Sequence, residues 1–290
     1  MILSLFFCKM VKKKERKEFG DLLTDSWKEY KNNFKLFFRS YLWLYIIPLA
    51  IVTIISGMML INLFNTIPQF QQSILTGVQI TLEDMKSFPP EVIASFLQYT
   101  KVVLMLGFIA AFLNFILFLG ILYIVSFKKG RMNAREAIKG GLNYFWKGLG
   151  LIILLLIFLI PLYVLLIVPG IIFSVFWIFS FYVLFIEKKG IWDSLKGSYH
   201  LVKGKWWRTF GYILLFTLVV FAISVVINMP LLVIETILIR PGIENFSLIF
   251  SVLSAFGFIT KVITSIIVLP LGVIFYRNMY SQWKEEKGRK

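Results

Sequence analysis

Histidine and cysteine are almost missing: His200 and Cys8 are the single copies in 290 residues. One cysteine excludes an intrachain disulfide and any multi-cysteine metal site. One histidine leaves no second ring for a paired metal site or a histidine relay. Acids are scarce as well, with 15 Asp and Glu against 31 Lys and Arg and a formal net charge of +16. Charged residues are only 16% of the chain and fall in clusters. Between the clusters lie uncharged runs long enough to cross a bilayer, which takes about 20 apolar residues.

What is abundant is apolar surface. Hydrophobic residues make up 59% of the chain and the mean hydropathy is +0.82. These values point to an integral membrane protein. In a soluble protein a charge of +16 would raise nucleic acid as a partner. Here the basic residues gather at span ends, so no nucleic acid partner is expected.

The apolar and charged runs predict an all-α membrane helical bundle with about six transmembrane helices and three cytoplasmic amphipathic helices. Residues 1–20 read as a basic N-terminal tail, in which a start at Met10 is expected. A single transmembrane domain covers 21–276, with spans at about 41–64, 102–127, 148–168, 171–186, 209–234 and 256–276. Residues 277–290 read as a basic cytoplasmic tail. The uncharged run 148–186 is basic at both ends, so it is expected to form a hairpin turning at Pro169-Gly170. Four crossings with a partly re-entrant hairpin are the alternative. A short surface helix is expected before the sixth span, because that run exceeds the bilayer thickness. All basic residues except Lys86, Lys101, Arg240 and Lys261 fall on one side of this threading. The positive-inside rule then predicts a multi-pass protein of the cell membrane with both termini cytoplasmic.

A short motif of acid, small residue, apolar residue and lysine occurs three times. The copies are Asp25-Ser26-Trp27-Lys28, Glu136-Ala137-Ile138-Lys139 and Asp193-Ser194-Leu195-Lys196. Each precedes an apolar run, which suggests a threefold internal repeat. Convergence is the alternative, since an acid and then a lysine suit a helix start. Apolar stripes accompany the motifs: Leu23, Trp27, Tyr30, Phe34 and Phe37; then Ile138, Leu142, Phe145 and Leu149; then Trp192, Leu195, Tyr199, Val202 and Trp206. Their spacing of three and four predicts one helical face each, with the motif acids and lysines opposite.

Pro169-Gly170, Glu187, Gly190, Ser194 and Ser198 precede Leu201-Val202-Lys203-Gly204-Lys205-Trp206-Trp207-Arg208. On these residues the stretch 127–215 resembles the glycerophosphoryl diester phosphodiesterase membrane-domain family and related uncharacterised six-span membrane proteins. The resemblance implies a multi-span helical membrane protein and no activity for the membrane part alone. The enzymatic name belongs to relatives fused to a soluble catalytic domain, and no segment between the spans here is long enough to fold as one.

No catalytic residue, cofactor or metal site is expected. Phosphodiesterase chemistry needs several carboxylates and usually histidines, and His200 lies between lysines at a predicted membrane surface. Asp25, Lys28, Glu136, Lys139, Asp193 and Lys196 are candidate structural residues of the repeat, explained first as helix-end electrostatics. Lys261 is the basic group deepest in a span and is expected to reach outward. Asn114 is expected to make an interhelical hydrogen bond. Lys203, Lys205, Trp206, Trp207 and Arg208 are the candidate lipid-binding group, because indoles and cations together suit anionic headgroups. The expected partners are the bilayer and anionic phospholipids. The expectation is therefore a non-enzymatic membrane protein with a basic lipid-contacting face, serving envelope maintenance or a membrane complex. A small-solute or lipid transporter component is the alternative.

Overall fold

The computed structural model describes residues 17–66, 90–127, 132–238 and 246–288. Cys8, Met10, Lys128-Lys129-Gly130 and Arg240-Pro241-Gly242 lie outside the described residues. The protein is all-α, with no strand among the described residues. Six of its helical segments are long and apolar enough to cross a membrane.

Helix α1 (Phe19–Tyr41) runs through a π-helical turn, Leu42–Ile46, into α2 (Ile47–Thr66). The predicted surface helix and first span are thus one continuous helical run. The π turn has a local cause. Pro48 carries no N–H and its ring crowds the carbonyl one turn back, so the backbone just before it opens. The Ile47 N–H accordingly reaches the Leu42 carbonyl, five residues back. Helix α3 (Pro90–Phe127) is followed by α4 (Ala134–Leu142) and α5 (Phe145–Leu165). Then come α6 (Ile167–Trp177), α7 (Ser180–Ile186), α8 (Ile191–Val202), α9 (Trp206–Leu238) and α10 (Phe246–Gly288).

Packing divides the chain into two compact units. One takes its described residues from Met1–Asn33, Lys147–Ile213 and Leu271–Lys290; the other from Phe34–Trp146 and Leu214–Pro270.

In the first unit the hairpin turns at Leu166, which has extended backbone, rather than at Pro169-Gly170. Pro169 is the third residue of α6, where a missing N–H is harmless. Gly170 is buried, and a Cβ there would lie 2.7 Å from the Tyr163 ring, so the two arms meet at this glycine. The returning arm breaks at Ile178-Phe179. Ser198 from α8 stitches the break: its hydroxyl accepts from the Phe179 N–H at 3.1 Å and donates to the Phe176 carbonyl at 2.7 Å. This answers the need to pair backbone groups freed at apolar depth. Helix α8 reverses into α9 through Lys203-Gly204-Lys205. Gly204 has φ +82, a left-handed conformation that glycine adopts without strain.

The segment read as a basic tail is helical to Gly288, and among the described residues no separate surface helix precedes the sixth span, because Phe246–Gly288 is one continuous helix. Met279, Tyr280 and Trp283 of that segment are buried in the core of this unit, together with Leu271, Ile274 and Phe275 from the end of the predicted span. Trp283 is the largest fully buried side chain among the described residues.

In the second unit α4 packs on α3. A Cβ on Gly141 would lie 2.7 Å from the backbone at Leu119 and Gly120, so the helices touch backbone to backbone. The Tyr41 hydroxyl donates to the Ser265 carbonyl at 2.7 Å, tying the end of α1 to α10.

Candidate functional site

Burial cuts across the predicted apolar stripes of α1 and α4: Tyr30 and Phe37 of the first are buried, and no residue of the second is. In α1 the buried residues are Leu22, Ser26, Tyr30, Phe37, Ser40 and Tyr41, whereas Trp27 and Phe34 are exposed. In α4 they are Ala134, Ala137, Gly140 and Gly141, whereas Leu142 is exposed. Close helix packing inside a membrane selects small residues rather than large apolar ones. The large residues then face outward. In α8 Leu195 and Val202 are buried and Trp192 is exposed, so that stripe is divided.

The three motifs share a buried small residue, Ser26, Ala137 and Ser194. Their acids behave differently. Glu136 and Asp193 are each the third residue of a helix, α4 and α8. Glu136 accepts from the Asn133 N–H at 3.2 Å. Asp25 lies inside α1 and pairs with Lys17 instead. Lys28, Lys139 and Lys196 are exposed. Ser26 also accepts a hydrogen bond from Asn278 at 3.0 Å, which fixes α1 to the end of α10.

The predicted lipid-binding group divides into two sets. Lys203 and Trp207 are exposed. Lys205 and Arg208 turn inward to Glu286, with Lys205 Nζ at 2.9 Å and Arg208 bonding both carboxylate oxygens at 2.8 and 3.1 Å. Arg208 also lies 3.9 Å from the centre of the Trp283 ring. The Trp206 indole donates to the Ile172 carbonyl at 3.2 Å and the ring stacks on Phe210. Glu286 and Trp283 have no place in the sequence reading. The signal for them was the spacing of Tyr276, Tyr280 and Trp283, which extends a helical stripe past the predicted end of the span.

A second carboxylate, Glu187, sits between α7 and α8. It accepts from the Tyr280 hydroxyl at 2.6 Å and pairs with Lys284 at 2.9 Å and Lys189 at 2.6 Å. Burial works against its charge, but the hydrogen bonds from Lys189, Tyr280 and Lys284 outweigh it and hold the carboxyl at about 2. Glu29 pairs with Arg277 in the same unit. His200 is exposed, and its carbonyl accepts from Lys287. Asn114 donates to the Ala110 carbonyl of its own helix at 2.8 Å, so the described bond is intrahelical rather than the interhelical one expected. Lys261 is exposed.

In the second unit a surface cavity of about 620 Å³ is lined by Arg39, Trp43, Asn133, Ala134, Arg135, Ile138 and Lys139. Arg39, Arg135 and Lys139 have no ion-pair partner among the described residues. An apolar cavity of about 420 Å³ lies between α2 and α10, lined by residues such as Thr53, Met58, Ser254 and Phe258. Among the described residues no three His, Cys, Asp or Glu side chains converge as a metal site would require.

Comparison with the curated proteins and with the solved structures finds no match. A family model matches residues 91–279, and the chain belongs to that family, Domain of unknown function (DUF7847).

Proposed function

We propose that this chain is a non-enzymatic, multi-pass protein of the cell membrane whose basic face contacts anionic phospholipids, in support of envelope maintenance or a membrane complex. One observation carries the reading. Five tryptophans are exposed, from 39% for Trp27 to 78% for Trp146 and Trp207. Each has an exposed cation nearby in sequence: Trp27 with Lys31, Trp43 with Arg39, Trp146 with Lys147, Trp192 with Lys196 and Trp207 with Lys203. Two of these pairs, Trp27 with Lys31 and Trp192 with Lys196, are four residues apart within one α-helix, the spacing that puts two side chains on one helical face. Lys31 lies 5.3 Å from the Trp27 ring centre. An indole in water gains nothing from exposure, whereas at headgroup level it is favoured and the neighbouring cation meets lipid phosphate.

On this reading the basic segments face the cytoplasm, and the three motif-bearing segments are points of lipid contact. The resemblance of 127–215 to the glycerophosphoryl diester phosphodiesterase membrane-domain family fits a part without a catalytic site of its own. Native mass spectrometry of gently extracted protein tests the reading. Retained anionic phospholipid, reduced when Lys31, Lys196 and Lys203 are changed to Gln, is the expected result. Protein that retains none, in either form, would sink it. A lipid transporter component is the second reading, supported by the apolar cavity between α2 and α10, whose size suits part of an acyl chain.

A further inference from the structure

We propose that the cavity at the junction of α1, the π turn and α4 binds the phosphate headgroup of an anionic phospholipid. Arg39, Arg135 and Lys139 are the phosphate partners and Trp43 marks the headgroup level. The inference rests on the reading that basic faces of this chain meet anionic lipid, and it gives that contact one address.

Three cations line one cavity of about 620 Å³, and none has an ion-pair partner among the described residues. The other two described arginines are matched, Arg208 by Glu286 and Arg277 by Glu29. Neighbouring unpaired cations repel one another, and a bound anion converts that repulsion into attraction. Glu136 is the acid nearest in sequence, and its carboxylate is engaged by the Asn133 N–H. It therefore occupies the start of α4, and the side-chain cations rather than the helix dipole carry the site. Two arginines favour phosphate, because a guanidinium presents paired donors to two oxygens.

A membrane lipid fits better than a soluble anion for two reasons. Trp43, on the rim, is largely exposed and stands four residues before Ile47, where the apolar helix α2 begins. Ile138 adds apolar surface beside the cations. A headgroup held here would leave its acyl chains beside the apolar start of α2.

The test is native mass spectrometry of the full chain, titrated with phosphatidylglycerol and, separately, with phosphatidylcholine. Wild type is expected to hold phosphatidylglycerol tightly and phosphatidylcholine weakly. The triple variant Arg39→Gln/Arg135→Gln/Lys139→Gln is expected to bind phosphatidylglycerol about tenfold more weakly or worse. The variant Lys101→Gln/Lys188→Gln/Lys261→Gln removes the same charge elsewhere and is expected to bind as wild type does. Arg39→Lys/Arg135→Lys keeps the charge, guards against loss of fold, and is expected to retain most binding. Equal losses in the two triple variants would reduce the effect to net charge and overturn the site. Unchanged binding in the cavity variant would overturn the site and leave the broader lipid reading standing. No phosphatidylglycerol on wild type would overturn both. Glycerol 3-phosphate displacing the lipid at equal concentration would overturn the lipid as the source of the phosphate.

Discussion

The Arg208 guanidinium lies over the face of Trp283, 3.9 Å from the ring centre. The ring is fully buried, and its N–H donates to the Thr209 hydroxyl at 2.9 Å. Stacking, ring burial and the paired bonds to Glu286 converge on the first turn of α9 and the end of α10. They join the end of α10 to the start of α9 within one unit, in a stretch whose composition reads as a solvated tail.

Truncating Trp283 to Ala is expected to destabilise the protein by about 3–5 kcal/mol, the range for removing a buried aromatic side chain. Trp283→Phe keeps most of the packing and loses the bond to Thr209, worth about 1 kcal/mol. Thermal unfolding in detergent would rank the three proteins. An unaltered midpoint for Trp283→Ala would mean that the α10 terminus contributes nothing to the unit.

Changing Glu286 to Gln leaves Arg208 and Lys205 facing each other without a counter-charge. A loss of about 1–3 kcal/mol is expected for this partly exposed group. The double variant Glu286→Gln/Arg208→Gln should recover part of it. A double-mutant cycle on unfolding midpoints measures the coupling, and strict additivity of the single effects would argue against the pair.

Glu187 gives a pH dependence. Its carboxyl is held at about 2 when folded, against an ordinary value of 4.5. The lower folded value means that the folded state favours the charged form. Its stabilisation is therefore complete above about pH 4.5 and is lost as pH falls towards 2. Unfolding midpoints of wild type and Glu187→Gln should differ most near neutrality and converge in acid. A gap that stays constant from pH 6 to pH 3 contradicts the assignment.

Gly141 and Gly107 make a contrast within the second unit. A Cβ at Gly141 would press on the α3 backbone, whereas one at Gly107 meets nothing within 4 Å. Gly141→Ala should therefore destabilise by about 1–3 kcal/mol, and Gly107→Ala should be neutral or slightly favourable by helix propensity. Equal midpoints for both variants would remove the case for backbone contact between α3 and α4.

How much of this was legible in the sequence varies by feature. Long apolar runs reveal six helices directly, because a stretch without charge at that length has few other uses. The positions of Glu136 and Asp193 at helix starts also follow from local rules. Asp25 shows the limit: the same motif stands well inside α1, and its partner is the side chain of Lys17, just before that helix. The fate of Lys205 and Arg208 was not legible, because Glu286 is remote in sequence and the motif rules see only neighbours. The convergence of Arg39 with Arg135 and Lys139 was hidden for the same reason.

The sequence by itself determines the all-α class, the apolar segments and the places where charge and tryptophan accumulate, because each is a local property of composition and period. Tertiary structure decides which face of each helix turns inward. Spacing groups Trp27 with Phe34, and Ile138 with Leu142, on apolar faces but does not say what each face meets; packing turns Ser26, Ala137 and Gly141 inward, since small residues let backbones approach while large ones suit lipid. Tertiary structure also decides which cations are spent on the fold and which stay open. Arg208 is matched by Glu286, and Arg39 is left facing a cavity with two other cations. That difference arises only when distant helices are brought side by side.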